Sequence, residues 1–297
     1  RGAAHNDDYA TKLDHLGERY ERLDTEAMAQ MTGTHFYRSD LFLPGAVMLQ
    51  PALYIRALAA GLACHGTRPV QIFENSPAIS FTQRTGGWEV RTPQAVIHAG
   101  AVVMAVNGHA ESFGFFQQRL MHVFTYASMS AALTGEQQRR LGGAANWGVT
   151  PADPMGSTVR RHDGIGGNRI IIRNRWTYDP SMQVDQRRID RFRRDHERAF
   201  RRRFDRLKDV TLDYSWGGRL CLSRNSVPAF GEVEPGLFSA CCQNGLGTAK
   251  GTLAGIGAVE LAVRGNSPTV QDLLVVVLLQ EAKEGPQKCV GLKNQGK

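Results

Sequence analysis

The residue types best suited to chemistry stand together between Leu237 and Gly251. An apolar run from Leu237 to Cys242 predicts a buried strand, and Gly245, Gly247 and Gly251 follow it at the start of a small-residue helix. Glycine permits positive φ and lets the backbone approach a ligand closely. The N-terminus of such a helix offers unpaired N–H groups to anionic or electron-rich atoms. The pattern indicates ligand binding, although paired glycines also form ordinary tight turns.

Strands of two kinds are predicted around this loop. Short strands bounded by turn residues are expected at 70–73, 78–83, 88–92 and 96–98. The apolar run from Ala101 to Val106 is typical of a strand buried on both faces, as in a parallel sheet. Longer, more antiparallel segments are expected at 121–132, 157–162, 168–175 and 210–214. This alternation predicts a mixed α/β fold with two interleaved domains.

Helices are predicted over residues 9–32, where Asp24 caps a second segment, and over 50–62, which begins with Pro51. Between Arg187 and Lys208 lie eleven Lys or Arg residues with apolar positions at helical spacing. One interpretation of this basic helix is a surface for nucleic acid or an acidic partner. The other is a solvated amphipathic helix, which we favour because no nucleic-acid motif accompanies it.

Composition limits the class of protein. The chain has 297 residues, a net charge of +8 and 42% hydrophobic residues, as expected for a folded globular protein of one or two domains. Its longest apolar run, Leu273 to Leu279, is far shorter than the roughly 20 residues of a membrane span. The five cysteines lack C-x-x-C spacing, so neither a disulfide framework nor a zinc site is predicted. We expect no metal, no membrane, no nucleic acid and a cytoplasmic location.

Five segments in the same order resemble the FAD-dependent oxidoreductases that include D-amino-acid oxidase, sarcosine oxidase and glycine oxidase, and most of all γ-glutamylputrescine oxidase-like members. They are 50–58 with its proline-started helix, 73–78, 102–108, the pair 214–218 and 225–231, and 245–255. The resemblance implies one oxidoreductase domain over residues 1–272. Within it, 50–112 and 223–270 would form an incomplete Rossmann-like FAD-binding lobe, interleaved with a mainly antiparallel substrate lobe at 113–222.

The resemblance also implies the cofactor, the reaction and the site. FAD would oxidise the C–N bond of a small amine or amino acid, giving an imine that water hydrolyses, with peroxide formed by dioxygen. Trp216 and Arg219 are the predicted catalytic, substrate-side residues. The predicted cofactor-binding residues are Ala78, Asn107, Gly108, Pro228, Gly231, Gly245, Leu246, Gly247, Thr248 and Lys250.

Two features depart from the family pattern: the first glycine loop is missing, and Leu246 stands between the paired glycines where close relatives often carry His. The chain contains no opening strand with a G-x-G-x-x-G loop, which holds the pyrophosphate in such proteins. Gly164 to Gly167 is predicted to be only a turn. We therefore expect weak FAD binding or none by this chain alone, and the alternative function is a truncated, non-catalytic remnant. Residues 273–297 form a divergent tail that no longer resembles the family.

Overall fold

The fold is known from a computed structural model that describes residues 2–64, 70–153 and 156–271. The divergent tail at 273–297, with its apolar run, lies outside the described residues. The helices are α1 (Gly2–Leu16), α2 (Thr25–Thr32), α3 (Pro51–Cys64), α4 (Gly135–Leu141), α5 (Gln186–Arg203) and α6 (Gly247–Arg264). Short 3-10 segments lie at Asn107–Phe113, Asp205–Leu207 and Pro268–Val270.

The strands are β1 (Glu21–Leu23), β2 (Asp40–Phe42), β3 (Ser80–Arg84), β4 (Gly87–Arg91), β5 (Val96–Ala99), β6 (Val102–Met104), β7 (Leu120–Ser130), β8 (Trp147–Val149), β9 (Thr158–His162), β10 (Arg169–Tyr178), β11 (Leu212–Ser223), β12 (Ala229–Glu234) and β13 (Leu237–Cys241). They form sheets in the orders β1-β2, β3-β4-β5, β12-β13-β6 and β11-β7-β10-β9-β8. The expected mixed α/β fold is confirmed.

Two compact units divide the chain, and the boundaries fall within α3, β7 and β11. The first unit contains residues 1–54 and 123–219, and the second contains 55–122 and the described residues from 220 onward. The chain therefore alternates between the units. The assignment of one lobe to FAD and the other to substrate stays a prediction.

The core of the first unit lies between α5 and the five-stranded sheet. Neighbouring strands β7, β10, β9 and β8 pair antiparallel. The aromatic and aliphatic side chains of α5 recur at helical spacing, so one face meets the sheet while most of the arginines face outward. Phe200 and Phe204 are buried in one cluster with Ile170 and Ile172 of β10. Asp185 caps the helix by accepting from the backbone N–H of Arg188 at 2.9 Å.

The second unit contains the strand and helix that carry the glycine loop. β13 pairs antiparallel with β12 and parallel with β6, so the parallel pairing expected for the apolar run at 101–106 is present. Ala254 and Ala258 of α6 pack with Phe238 of β13 and with Val270. A Cβ at Gly257 would lie 2.5 Å from Val270, so this glycine lets the helix approach the segment that follows it.

Two local predictions were wrong. Residues 70–73 form no strand, and Ile72 and Phe73 are 51% and 69% exposed. A short segment makes a strand only where a partner strand can pair with it, and no strand of the described residues pairs with Val70 to Phe73. The first helix ends at Leu16, because Gly17 takes φ +67°, so the helical face predicted to continue to Tyr20 stops a turn early. The predicted cap at Asp24 is confirmed, since its carboxylate accepts from the Ala27 backbone N–H at 2.9 Å.

Candidate cofactor site

The loop after β13 turns through three residues in the left-handed region. Cys242, Asn244 and Gly245 have φ values of +54°, +51° and +85°. Asparagine and glycine tolerate this conformation better than other residues, which explains why the loop contains them. The buried strand thereby ends at Cys241, and α6 begins six residues later at Gly247.

Two asparagine side chains fix the loop. Asn244 Oδ1 accepts from the backbone N–H of Ser223 at 2.8 Å, and its Nδ2 donates to Ser223 Oγ at 3.1 Å. Asn107 Oδ1 accepts from the backbone N–H of Cys242 at 3.3 Å. These bonds tie the loop to the end of β11 and to the turn after β6. The backbone that leads into α6 is therefore held by neighbours rather than by its own sequence alone.

The N-terminus of α6 carries no side-chain cap. Leu246 occupies the capping position, makes no side-chain hydrogen bond there, and is 57% exposed. Gly247, Thr248 and the following Ala249 are exposed. Since the first N–H groups of a helix have no intrahelical acceptors, these donors face open space, where the helix dipole adds positive potential. A Cβ placed at Gly247 would meet no atom within 4 Å.

This arrangement fits one edge of a flavin. The carbonyl-rich edge of the ring system needs N–H donors, and the reduced ring needs positive potential. An uncapped helix N-terminus with a glycine at its first position supplies both. Gln243 adds a polar group beside the loop: its Oε1 is buried without a hydrogen-bond partner in the described residues. Lys250, one turn along the helix, is half-buried.

The remaining predicted cofactor residues lie in the second unit in differing environments. Ala78 and Asn107 are exposed, whereas Pro228 and Gly231 are buried on or beside β12. Gly231 has φ +116°, a conformation that side-chain-bearing residues rarely adopt. Gly108 is buried against an imidazole, because a Cβ there would lie 2.6 Å from His122 Nδ1. Packing thus already accounts for the glycine at 108, and its contact with a cofactor stays a prediction.

A hydrogen-bonded histidine and carboxyl pair beside Gly108 was not foreseen from the sequence. His122 Nε2 lies 2.6 Å from Glu111 Oε2, and the two side chains are 9% and 19% exposed. Glu111 also accepts from the backbone N–H of Gln118 at 2.9 Å. The two residues come from a 3-10 segment and from β7, eleven positions apart. Because the two residues lie on different elements, neither helix nor strand periodicity relates them. The sequence therefore gave no signal for the pair.

Two cysteines lie in contact beneath the loop. Cys221 Sγ and Cys242 Sγ are 3.6 Å apart, both thiols are free, and both side chains are buried. The hydrogen bond from Cys221 lowers the pKa of Cys242, while burial opposes the shift. The same bond, together with burial, raises the pKa of Cys221. Burial of Cys241 and Cys242 agrees with the packing role that the sequence favoured for them.

The predicted substrate-side residues lie on β11 in the first unit. Trp216 is 41% exposed, and Arg219 is exposed at the end of that part of the strand. Side chains alternate along the strand, so Ser215 points to the other face, where its hydroxyl lies 2.7 Å from Ser128 Oγ. Trp176 of β10 is 49% exposed as well. The structure therefore leaves Trp216 accessible rather than burying it as a core aromatic.

Comparison with known proteins identifies the family. The family model described as FAD dependent oxidoreductase matches residues 3–261. The chain belongs to this family. The description of the family names FAD as its cofactor.

A curated protein is similar to the chain in sequence. The chain is similar to a probable oxidoreductase, OrdL, of Haemophilus influenzae, with 25% identity over 237 residues. That match covers 78% of this chain and 51% of OrdL, so the chain spans about half the length of the curated relative it matches.

Solved structures give the same result. Glycine oxidase from Bacillus cereus superposes with a TM-score of 0.69 at 15% identity, covering 91% of this chain and 71% of the other. Glycine oxidase from Geobacillus kaustophilus gives 0.66 at 19% identity, with coverage of 89% and 68%. NikD, an amino acid oxidase of nikkomycin biosynthesis, gives 0.63 at 16% identity, with coverage of 87% and 69%. These likenesses show the fold.

The described residues contain neither a helix that could span a membrane nor a cluster of side chains that could hold a metal ion. Among the helices, none combines the length and apolar character that crossing a membrane requires. Within the same ranges, His, Cys, Asp and Glu side chains form no cluster of three or more that could hold a metal ion.

Proposed function

We propose that this chain serves in an FAD-dependent enzyme that oxidises the C–N bond of a small amine or amino acid. The observation that carries the proposal is the uncapped N-terminus of α6, which follows a loop held by Asn107 and Asn244. The names of the similar solved proteins, glycine oxidase and an amino acid oxidase, support the substrate class. When bound, FAD would supply the acceptor for two electrons and would return them to dioxygen as peroxide.

The loop would hold the cofactor through its backbone. The N–H groups of Gly247 and Thr248 would donate to the electron-rich edge of the ring, and the helix dipole would stabilise negative charge there. Gly245 to Lys250 thus form the proposed contact surface. The other proposed contacts are Ala78, Asn107, Gly108, Pro228 and Gly231.

Trp216 and Arg219 would serve the substrate. The exposed indole offers an apolar face for the carbon skeleton, and the guanidinium can bind a carboxylate through two parallel hydrogen bonds. Arg219 already interacts with a neighbouring group, so a substrate carboxylate would compete with that contact. No general base is required in this proposal, since a deprotonated amine can react directly. A reducing, cytoplasmic setting is proposed because Cys221 and Cys242, whose sulfur atoms are 3.6 Å apart, are not joined by a disulfide.

A matched pair of glycine variants tests the cofactor contact. Gly247→Val places a side chain in the open space at the first residue of α6. Gly255→Val places the same side chain on an open face further along the same helix. Neither glycine has positive φ and neither new Cβ meets an atom within 4 Å, so both variants should fold. Quenching of flavin fluorescence should show at least about tenfold weaker FAD binding for Gly247→Val, because the valine side chain would hold the ring away from the backbone N–H donors and cost about one hydrogen bond. Equal affinities in the two variants would contradict the proposed contact.

A substrate pair tests the role of Arg219. Peroxide formation is measured with an amino acid and with the amine that lacks its carboxylate. Arg219→Gln should raise KM for the amino acid and leave the amine unaffected, because only the amino acid has a carboxylate to lose. Arg224→Gln, an exposed arginine in the second unit, is the control for loss of charge. An equal effect of Arg219→Gln on both substrates would show that this residue does not bind the substrate carboxylate.

A further inference from the structure

The outer side of α5 borders a cavity that the proposed oxidation does not use. Its volume is about 270 Å³, and it lies wholly within the unit formed by residues 1–54 and 123–219. Four arginines line it, Arg175, Arg198, Arg202 and Arg203, together with one carboxylate, Asp195. The basic helix of the sequence thus contributes part of its charge to a concave site rather than to a uniformly solvated face.

Positive charge in the cavity exceeds negative charge. Asp195 pairs with Arg175, whose Nε lies 3.2 Å from Oδ2, and with Arg198. Burial raises the pKa of Asp195, but the hydrogen bonds from Arg198 and Arg175 outweigh it and leave the pKa below its ordinary value. The cavity therefore holds one carboxylate, paired with two of its four guanidinium groups. Arg202 and Arg203 form no ion pair within the described ranges of the chain.

Arg203 is held in place by neutral groups. Its Cζ lies 4.4 Å from the centre of the Phe36 ring, and its Nη1 donates to the carbonyl of Ala199 at 3.0 Å. Burial lowers the pKa of its guanidinium and nearby Arg202 adds to the shift, whereas Tyr37 opposes it. A cation that is part-buried without a carboxylate is an unfavourable arrangement unless an anion completes it.

Two polar atoms of the cavity residues add to this picture. Asn174 Oδ1 is buried and has no hydrogen-bond partner in the part of the chain that the structure describes, and Arg203 Nε is also buried outside hydrogen-bond geometry, with the Tyr37 hydroxyl as its polar neighbour. Buried polar atoms are nearly always satisfied in folded proteins, and an unsatisfied one points to a missing water or ion. Arg175 is also unusual, with φ +68° at the bulge of β10. The backbone thus takes an uncommon conformation where Arg175 meets Asp195.

We propose that this cavity binds a small organic anion whose carboxylate or phosphate groups together carry two or three negative charges. Guanidinium groups suit such ligands because their fixed forks match carboxylate and phosphate oxygens in pairs. The cavity is close to the lower limit of about 300 Å³ that small-molecule pockets reach, so it accommodates a small metabolite-sized anion. The excess of guanidinium over carboxylate groups favours a ligand with two or three negative charges. The proposal does not depend on the binding of FAD to this chain.

Titration calorimetry with two probes tests the proposal. Citrate represents the carboxylates and glycerol 3-phosphate the phosphates, at an ionic strength of about 0.15 M to screen unspecific attraction. At least one probe should bind saturably at one site per chain and raise the temperature of unfolding. The tighter probe identifies the oxyanion that the cavity prefers.

Two variants on α5 separate the cavity from the general charge of the helix. Arg202→Gln removes a cavity arginine, and Arg201→Gln removes an exposed arginine outside it in the same last turn. Arg202→Gln should weaken the tighter probe at least about tenfold, the effect of losing one charge-assisted hydrogen bond, while Arg201→Gln should retain nearly full affinity. Both sites are exposed, so both variants should unfold at the temperature of the parent chain.

Two results would overturn the proposal. One is the absence of saturable binding by either probe. The other is equal weakening by the two substitutions, which would mean that the probes follow the overall charge of the helix. A single-stranded oligonucleotide provides a further comparison: if it binds more tightly than both probes and responds equally to both substitutions, α5 is a surface for polyanions and the cavity is not a site.

Discussion

A buried hydrogen-bond chain in the first unit permits a quantitative prediction. Ser215 and Ser128 hydroxyls are 2.7 Å apart, Ser128 Oγ lies 2.7 Å from His196 Nδ1, and His196 Nε2 lies 3.1 Å from the carbonyl of Asn174. A carbonyl can only accept, so Nε2 carries the proton in neutral His196, and Nδ1 accepts from Ser128. The Ser128 hydroxyl then accepts from Ser215. Ser128 is therefore the central link that joins β7, α5 and β11.

Ser128→Ala would leave two groups without a partner. Ser128 and His196 are 0% and 1% exposed, so water cannot replace the donor that Nδ1 loses. An unsatisfied buried group costs about 1–3 kcal/mol, and the half-buried Ser215 hydroxyl contributes toward the lower end of that range. We expect the free energy of unfolding to fall by about 2–4 kcal/mol, from these two losses together.

Urea unfolding followed by circular dichroism measures the effect. The midpoint should fall while the slope with urea stays constant, since Ser128→Ala leaves the buried surface almost unchanged. Ser39→Ala in the same unit is the control, because Ser39 is exposed and its replacement should change stability by less than about 0.5 kcal/mol. A loss for Ser128→Ala no larger than that of the control would refute the reasoning, since the hydroxyl would then be dispensable to its neighbours.

Three further predictions concern protonation, packing and thiol access. Burial lowers the pKa of His196 below its ordinary value near 6.5, so its contribution to stability is present above about pH 6.5 and is lost as the pH falls. His196→Gln should flatten the decline of stability below that pH, and an unchanged slope would contradict this origin. Gly108→Ala should lower stability by about 1–3 kcal/mol in thermal unfolding, because its Cβ would meet His122 at 2.6 Å; unaltered stability would mean that the imidazole moves freely. A thiol reagent should label exposed Cys64 much faster than buried Cys242 when the labelled peptides are followed by mass spectrometry, and similar rates would show that the loop opens.

Local patterns in the sequence predicted the parts of the fold that depend on local chemistry. The Asp24 cap, the short strands β3 and β4 and the strand β6 within the apolar run each follow from residues a few positions apart. The loop before α6 belongs to this group, because strand, glycines and helix are contiguous. The segment at 70–73 shows the limit of local prediction: its sequence is suited to a strand, but no strand among the described residues pairs with it.

Contacts between residues far apart in the chain could not be predicted from the sequence. The Ser128, His196 and Ser215 chain joins positions 68 and 87 residues apart, and the Glu111 and His122 pair joins a 3-10 segment to a strand. The arginine cavity likewise depends on the bulge that brings Arg175 to Asp195. The sequence showed the basic helix, but only tertiary packing shows which of its arginines converge.

The proposed function depends most directly on whether the loop from Cys242 to Lys250 binds flavin. The decisive measurement is the visible absorption spectrum of the purified chain titrated with FAD, in parallel with Gly247→Val and Gly255→Val. Because the chain contains no G-x-G-x-x-G loop for the pyrophosphate, binding should be weak. Our account still predicts a saturable shift of the flavin bands for the parent chain and for Gly255→Val at high FAD concentration, with the shift weakened or lost for Gly247→Val. A spectrum that remains that of free FAD for the parent chain, or a shift equal in all three proteins, would contradict flavin binding at this loop.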